Sequence, residues 1–330
     1  MRAYITNIEY VLPMKIEENP QNRLTKKTGI LRKHICSSNE IASDLAYRVA
    51  EKMFINGVDK NSVDYLILCT QSPDYYLPST ACILQDKLGL PTKCGAFDYN
   101  LGCSGYIYGL SIAKGLIESD QANKVLLLTA ETYSKYINNH DGTVKPLFGD
   151  AATATLISAV DTEELGLDGF VMGTNGAGYN NLIVPVGGMK CRFAETTQVS
   201  ETDDFGNSRT NYDIYMNGAA ISDFALEVVP TTMEKILKKV KLTKNDIDCY
   251  VFHQANKFML NYLQMKCELM EYPYWNDVSE YGNTVSCSIP IALKDMLERN
   301  KDKAIKKVLS IGFGVGLSWG GCVMDLSMCK

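Results

Sequence analysis

The sequence predicts an α/β protein built from two similar halves. Apolar runs of strand length alternate with segments whose apolar residues recur at helical spacing. This alternation is typical of βαβ units and of a largely parallel sheet. Several features of the first part then recur in the same order from about residue 165 onward. We therefore expect two halves, residues 1–165 and residues 166–330.

Apolar patterning predicts the elements of the first half. Strands are expected at 1–12, 63–69, 124–131 and 151–157, and helices at 43–54 and 77–88. Pro78 suits the first turn of the second helix, because proline has no N–H to leave unpaired there. The polar stretch 15–27 is interpreted as a loop. A strand, a tight turn and a buried helix are expected over 95–118.

The second half repeats short segments of the first about 180 residues later. The repeated pairs are Ser43–Ala46 with Ser222–Ala225, Val63-Asp64 with Ile247-Asp248, Cys103-Ser104 with Cys287-Ser288, and Lys124–Leu126 with Lys307–Leu309. Coincidence between common βαβ patterns would rarely preserve both order and spacing. The repetition therefore indicates an internal duplication.

The two halves differ where the predicted strands end. Cys69 is matched by His253, and the turn with Cys103 is matched by a turn with Asn283 and Cys287. Ligands of open α/β sheets bind at the carboxyl ends of strands. If a pseudo-twofold axis relates the halves, Cys103, His253 and Asn283 converge on one site from different strand ends.

Cys103 lies at the predicted turn, flanked by Gly102 and Gly105. Glycine allows backbone to approach closely, and no bulky neighbour covers the sulfur. The unpaired N–H groups at a helix start favour the thiolate, which is the nucleophilic form of cysteine. A buried, inert thiol is the alternative interpretation.

Composition narrows the function classes. The formal net charge of −5 argues against a nucleic-acid-binding protein. The N-terminus shows no signal-peptide pattern, and no apolar run approaches the length of a membrane span. The eleven cysteines include no Cys-x-x-Cys pair, so we expect reduced thiols in a cytoplasmic protein rather than disulfides or a metal site.

Several motifs together resemble the β-ketoacyl-acyl-carrier-protein synthase III family of the thiolase superfamily. They are TGI at 28–30, LPSTA at 77–81, GCSG at 102–105, GDAA at 149–152, HQAN at 253–256, GNT at 282–284 and GFGVGLSWG at 312–320. The resemblance implies a thiolase-like fold, in which two duplicated βαβαβαββ halves form a five-layer αβαβα sandwich. It also implies a homodimer.

The resemblance further implies roles for individual residues. Cys103 would carry the acyl group, while His253 and Asn283 would donate hydrogen bonds to the thioester oxygen of a malonyl donor. Decarboxylation then leaves an enolate, whose carbon attacks the acyl thioester in a Claisen condensation. The amides of Cys103 and Val315 would form the oxyanion hole, and Phe313 would shape the pocket. The resemblance also implies thioesters of coenzyme A or acyl carrier protein as substrates, with no other cofactor and no metal.

The positions that would bind the coenzyme A or acyl carrier protein part of the substrate depart from the family pattern. The family commonly has a Trp, followed four residues later by an Arg, where this chain has Arg23 and Lys27. A basic residue usually lies five after the histidine, where this chain has Phe258, with Lys257 and Asn256 just before it. The expectation is normal condensation chemistry with a non-standard acyl donor or an altered carrier partner, in a specialised lipid pathway.

Three other functions stay open on the residues alone. An acyltransferase could move the acyl group from Cys103 to an alcohol or amine without decarboxylation, although the intact Asn283 favours condensation. A papain-type hydrolase would use the same order of Cys, His and Asn, but its local signature around the cysteine is absent. A non-catalytic subunit would normally have lost the nucleophile.

Overall fold

The computed structural model describes residues 1–204, 206–303 and 305–330. The strands are β1 (Arg2–Val11), β2 (Lys15–Glu18), β3 (Arg32–Ile35), β4 (Tyr65–Cys69), β5 (Gly95–Tyr99), β6 (Lys124–Glu131), β7 (Ala151–Val160), β8 (Leu167–Thr174), β9 (Leu182–Ile183), β10 (Ser200–Thr202), β11 (Ser208–Thr210), β12 (Tyr215–Met216), β13 (Cys249–Phe252), β14 (Lys307–Gly314) and β15 (Ser318–Asp325). The α-helices are α1 (Arg23–Thr28), α2 (Ala42–Ile55), α3 (Thr80–Lys87), α4 (Gly105–Glu118), α5 (Gly218–Val240), α6 (Lys257–Lys266), α7 (Val278–Tyr281) and α8 (Ser288–Arg299).

Two large sheets organise the described residues. One has the strand order β1-β7-β6-β4-β5, and the other has the order β8-β15-β14-β13. The second sheet continues beyond β13 as an isolated parallel bridge between Tyr250 and Tyr274. Each sheet therefore presents the same succession of strands from one edge to the other, which confirms the duplicated α/β architecture.

The helices lie in three layers around the two sheets. Helices α2 and α3 cover the outer face of the first sheet, and α5 covers the outer face of the second, with α6 packed beside α5. Helices α4 and α8 lie between the sheets and contribute apolar side chains to a core shared with both. This order of layers is the predicted five-layer αβαβα sandwich.

The expectation of largely parallel sheets was wrong, because both sheets are mixed. Strands β4, β5 and β6 are parallel, but β7 runs antiparallel to both β1 and β6. In the second sheet, β15 runs antiparallel to β14 and β8. The link from β14 to β15 spans only residues 315–317, which is too short for the crossover that a parallel pair requires.

Two local predictions were also wrong. The stretch 15–27 contains β2, which pairs with β3, and most of α1, whose first turn is capped by the Asn22 side chain. Few apolar residues mark these short elements, so their sequence is indistinguishable from a loop. Helix α3 begins after Pro78 because the Asp98 carboxylate accepts the N–H groups of Thr80 and Ala81.

The division proposed at residues 165 and 166 falls between β7 and β8, in the connection between the two sheets. No helix within the described ranges combines the length and apolar character needed to cross a bilayer.

Candidate active site

Cys103 lies in the turn between β5 and α4, and only 4% of the residue is exposed. The turn packs closely against the C-terminal part of the chain. A Cβ atom added to Gly102 would stand 2.5 Å from Cγ1 of Val315, so only glycine allows this approach. The sequence predicted the strand, the turn and the helix correctly, because each depends on local pattern.

The end of β14 passes directly beside the thiol. A Cβ atom at Gly314 would lie 3.0 Å from Sγ of Cys103. Phe313, the preceding residue, meets the His253 ring edge to face with ring centroids 5.4 Å apart. The backbone N–H of His253 donates to Ile311 O at 2.9 Å. One strand therefore holds both the thiol and the imidazole in place.

The side chain of Ser288 sets the orientation and tautomer of the His253 ring. Ser288 Oγ lies 2.6 Å from Nδ1 of His253 and also accepts the Gln254 N–H at 3.4 Å. Because the Ser288 hydroxyl has no other acceptor within the described residues and its oxygen already accepts the Gln254 N–H, we assign it as the donor to Nδ1. Nε2 then carries the ring proton and is a hydrogen-bond donor without a partner in the described chain.

Asn283 reaches the same region on a loop fixed by its own backbone. Its N–H donates to Leu147 O at 2.8 Å, and its carbonyl accepts the Gly149 N–H at 3.0 Å. The side-chain oxygen accepts the Val285 N–H at 2.9 Å. The Nδ2 amide has no partner among the described residues and is not one of their fully buried unpaired atoms, so it is accessible to a bound molecule. Asn283 therefore presents a free donor on a rigid loop.

Two backbone donors beside the thiol are also unpaired. In the parts of the chain that the structure describes, no acceptor outside Cys103 itself pairs with the Cys103 N–H, which faces its own sulfur, and none pairs with the Val315 N–H. Ser318 Oγ donates to Val315 O at 2.9 Å and is itself 2.7 Å from Ser104 Oγ. These two serines fasten the Val315 turn to the residue that follows Cys103.

Burial makes both the thiol and the imidazole neutral. It raises the pKa of Cys103 well above its usual range, and the nearby Glu131 carboxyl acts in the same direction. Burial lowers the pKa of His253 to about 3. Burial of Cys103 therefore opposes the thiolate that the start of the helix favours.

Apolar side chains enclose the thiol. Cys103 belongs to a buried cluster that includes Phe313, Val285, Phe148 and Leu317. Phe313 comes from β14, next to the free amide of Val315, and Val285 comes from the Asn283 loop. The surroundings of Cys103 are therefore dry, and electrostatic interactions within them are stronger than in water.

The residues predicted to bind coenzyme A or acyl carrier protein lie where α1 contacts α6. Lys27 Nζ stands 4.5 Å above the ring of Phe258, so a positive charge covers the position where the family carries a basic residue. Lys257 packs on Gly29, and the Asn256 side-chain oxygen caps α6 by accepting the Met259 N–H. Arg23 is exposed at the start of α1.

A groove of about 510 Å³ lies beside this contact, and its lining includes Lys26 and Lys257. Both lysines are exposed. Within the described ranges, no cluster of His, Cys, Asp or Glu side chains is suited to a metal ion.

The structure also identifies polar residues that the sequence did not single out. Ser288 was visible only as the repeat of Ser104 in the duplication. Ser318 lay within the GFGVGLSWG motif without a role of its own, and Glu131 ended a predicted strand without any motif. Their importance comes from contacts between distant parts of the chain, which no local pattern reveals.

Comparisons with known proteins agree with this geometry. The family profile described as 3-oxoacyl-[acyl-carrier-protein (ACP)] synthase III matches residues 97–176, and its C-terminal counterpart matches residues 237–326. A relative from Natranaerobius thermophilus named beta-ketoacyl-[acyl-carrier-protein] synthase III is 35% identical, over 94% of this chain and 92% of its own length.

Solved structures of the same description are also similar. A crystal structure of 3-oxoacyl-(acyl-carrier-protein) synthase III is 43% identical with a TM-score of 0.95, covering 98% of this chain and 100% of its own. A 3-oxoacyl-(acyl-carrier protein) synthase from Burkholderia xenovorans is 33% identical with a TM-score of 0.88, covering 98% and 94%. The chain belongs to the 3-oxoacyl-[acyl-carrier-protein] synthase III family.

Proposed function

We propose that this chain catalyses the decarboxylating Claisen condensation of an acyl group held on Cys103 with malonyl-acyl carrier protein. The product is a 3-oxoacyl thioester. The observation that carries the proposal is the set of free donors around a buried thiol. Two are backbone amides at Cys103 and Val315, and two are side-chain donors on His253 and Asn283.

The backbone pair suits the first step. Sγ of Cys103 attacks the carbonyl carbon of an acyl thioester, and the N–H groups of Cys103 and Val315 stabilise the oxyanion that forms. The carbon–sulfur bond of the donor then breaks, and the donor leaves as a free thiol with the proton that the cysteine gives up. The acyl group remains on Cys103 as a covalent intermediate.

The side-chain pair suits the second step. Nε2–H of His253 and Nδ2–H of Asn283 stabilise the enolate oxygen that forms when the malonyl carboxylate leaves as carbon dioxide. Phe313 provides an apolar wall that favours loss of the carboxylate charge. The enolate carbon then attacks the acyl thioester, the bond from the acyl carbon to Sγ breaks, and the sulfur of Cys103 departs and takes up a proton from solvent.

The alternative functions fit this geometry less well. A papain-type hydrolase uses an activated thiolate beside a basic histidine, whereas burial favours the neutral forms of both Cys103 and His253. An acyltransferase to an alcohol or amine requires a base for the acceptor, and the protonated Nε2 of His253 cannot accept that proton. The free amide of Asn283 has a use in condensation but none in simple transfer.

The surface around α1 and α6 would bind the part of the acyl donor that carries the acyl group. Arg23, Lys27, Asn256 and Lys257 would contact coenzyme A or acyl carrier protein, and carrier protein is the preferred donor. Arg23 and Lys27 replace the stacking and bidentate groups that coenzyme A commonly meets in the family. An acidic carrier protein would be attracted by the exposed lysines there.

We also propose a homodimer in the cytoplasm. Strand β5 lies at the edge of its sheet within the described residues, and Tyr75, Tyr76 and Leu77 nearby are strongly exposed. A free strand edge beside exposed apolar side chains suits a second copy of the chain. The many cysteines without paired spacing suit a reducing compartment.

The test combines the purified chain with an acyl thioester and malonyl-acyl carrier protein. Mass spectrometry should detect an acyl adduct on the Cys103 peptide and a 3-oxoacyl group on the carrier. Cys103→Ala is the matched control and should form neither. Release of a free fatty acid, or acyl transfer to an added alcohol or amine without a 3-oxoacyl product, would contradict the proposal.

A further inference from the structure

Glu131 is a buried carboxyl group that the proposed steps do not use. It is the last residue of β6 and is 0% exposed. No lysine or arginine among the described residues pairs with it. Burying a carboxyl group without polar partners costs folding free energy. The hydrogen bonds that Glu131 makes therefore offset part of that cost.

The two carboxyl oxygens of Glu131 bind different halves of the chain. Oε1 accepts the hydroxyl proton of Ser286 at 2.8 Å, and Oε2 accepts the Gln71 N–H at 3.1 Å. Gln71 follows β4 in the first half, whereas Ser286 lies in the loop that precedes α8 in the second half. One side chain therefore links the two halves beside the thiol.

The Ser286 contact anchors the Asn283 loop. Ser286 follows Val285, whose N–H holds the Asn283 side-chain oxygen. Val285 has a φ of 55°, a left-handed conformation that a β-branched residue adopts only when its surroundings hold it. The hydrogen bond from the next residue to Glu131 provides such a restraint.

The Gln71 contact supports the Cys103 turn. Nε2 of Gln71 donates to Asn100 Oδ1 at 2.8 Å, and its Oε1 accepts the Tyr133 hydroxyl proton. The same Oε1 lies 2.7 Å from where a Cβ atom of Gly102 would stand. Gln71 therefore packs on the residue that precedes Cys103.

We propose that Glu131 is a positioning residue that holds the Cys103 turn and the Asn283 loop in register. One donor of each pair lies on these segments, the Cys103 N–H on the turn and the Asn283 amide on the loop, and a shift between them would separate the acyl group from the enolate. The condensation that this positioning would assist rests on the proposed function. The position of Glu131 beside the thiol can be tested without any condensation.

Because the Glu131 carboxyl can carry a charge beside Cys103, the pH dependence of thiol reactivity reports on their proximity. A purely structural role would not change that pH dependence. The titratable groups that face it are the thiols of Cys69, Cys103 and Cys287, the phenols of Tyr99, Tyr133 and Tyr136, and the carboxyl of Asp150. Burial raises the pKa of Glu131 to about 8. Above that pH the carboxylate opposes formation of the Cys103 thiolate.

The experiment measures iodoacetamide alkylation of the Cys103 peptide between about pH 6 and pH 10 in wild type and Glu131→Gln. Glutamine can keep both hydrogen bonds, because its oxygen accepts the Gln71 N–H and its amide donates to Ser286 Oγ. Below about pH 7 the two rates should agree, and above about pH 9 the variant should react about tenfold faster. Equal rates across the range would overturn the proposed proximity.

Ser286→Ala tests the anchor separately. It should lower malonyl-carrier-protein decarboxylation about tenfold or more, while acylation of Cys103 changes less than about threefold. Unchanged decarboxylation in this variant would overturn the positioning role. Glu9→Gln is the matched control, because Glu9 is another largely buried carboxylate and joins β1 to α2 and α8. It should alter neither alkylation nor decarboxylation.

Discussion

Replacing Ser288 with alanine removes the hydroxyl that orients the His253 ring. Ser288 Oγ lies 2.6 Å from Nδ1, and both groups are buried. Without this donor, Nδ1 loses its partner, and the tautomer with the proton on Nδ1 becomes accessible. In that tautomer Nε2 has no proton to donate to an enolate. Decarboxylation should therefore fall, although the imidazole is still present.

The size of the loss follows from the lost hydrogen bond. A buried polar group left without its partner costs about 1.5–2 kcal/mol, which corresponds to a rate reduction of about ten- to thirtyfold. Complete removal of one oxyanion donor costs about 10²–10³ in rate. The effect of Ser288→Ala should therefore lie below that of His253→Ala. Ser288→Thr keeps a hydroxyl and should restore much of the rate.

The assay follows carbon dioxide release from malonyl-acyl carrier protein and, separately, acylation of Cys103 by intact mass. Acylation should change little in Ser288→Ala, because its oxyanion donors are the amides of Cys103 and Val315. A variant that decarboxylates at the wild-type rate would refute the tautomer argument. Equal losses in both steps would instead indicate a general disturbance of the site.

Three further predictions address the remaining assignments. Cys103→Ala should abolish acyl transfer but keep malonyl decarboxylation, since both side-chain donors remain; an unchanged condensation rate would exclude the covalent intermediate. His253→Ala and Asn283→Ala should each slow decarboxylation by about 10²–10³ and acylation less, and the opposite pattern would reverse their roles. Wild type should prefer an acyl carrier protein donor to acetyl-coenzyme A, and the double change Arg23→Trp, Lys27→Arg should raise the coenzyme A rate about tenfold. A wild-type preference for coenzyme A with no gain in the double variant would show these positions to be neutral.

The sequence predicted those parts of the fold that depend on local pattern. The strand, turn and helix around Cys103 have a continuous apolar signal and flanking glycines. The repetition of short segments revealed the duplicated halves, because gene duplication leaves both order and spacing recognisable. The strand-end position of His253 followed from the same comparison of halves, whereas Asn283 lies on a loop after α7 rather than at a strand end.

The missed features depend on contacts that only the folded chain brings together. The bond between Glu131 and Ser286 joins residues from different halves, and the antiparallel course of β7 is not visible in its apolar run. The protonation state of Cys103 could not be predicted, because a helix start favours the thiolate whereas burial opposes it, and the extent of burial cannot be read from sequence. The short helix α1 was not predicted, because its N-terminal cap and its packing neighbours stabilise it rather than its amino-acid composition.

The central claim is that the acyl group on Cys103 is transferred to the carbon released by decarboxylation. A single-turnover experiment tests it most directly, starting from isolated acyl-enzyme and malonyl-acyl carrier protein. The account predicts that loss of the acyl group from Cys103, release of carbon dioxide and formation of 3-oxoacyl-carrier protein occur together in equal amounts. Loss of the acyl group to water, an alcohol or an amine, without that product, would contradict it.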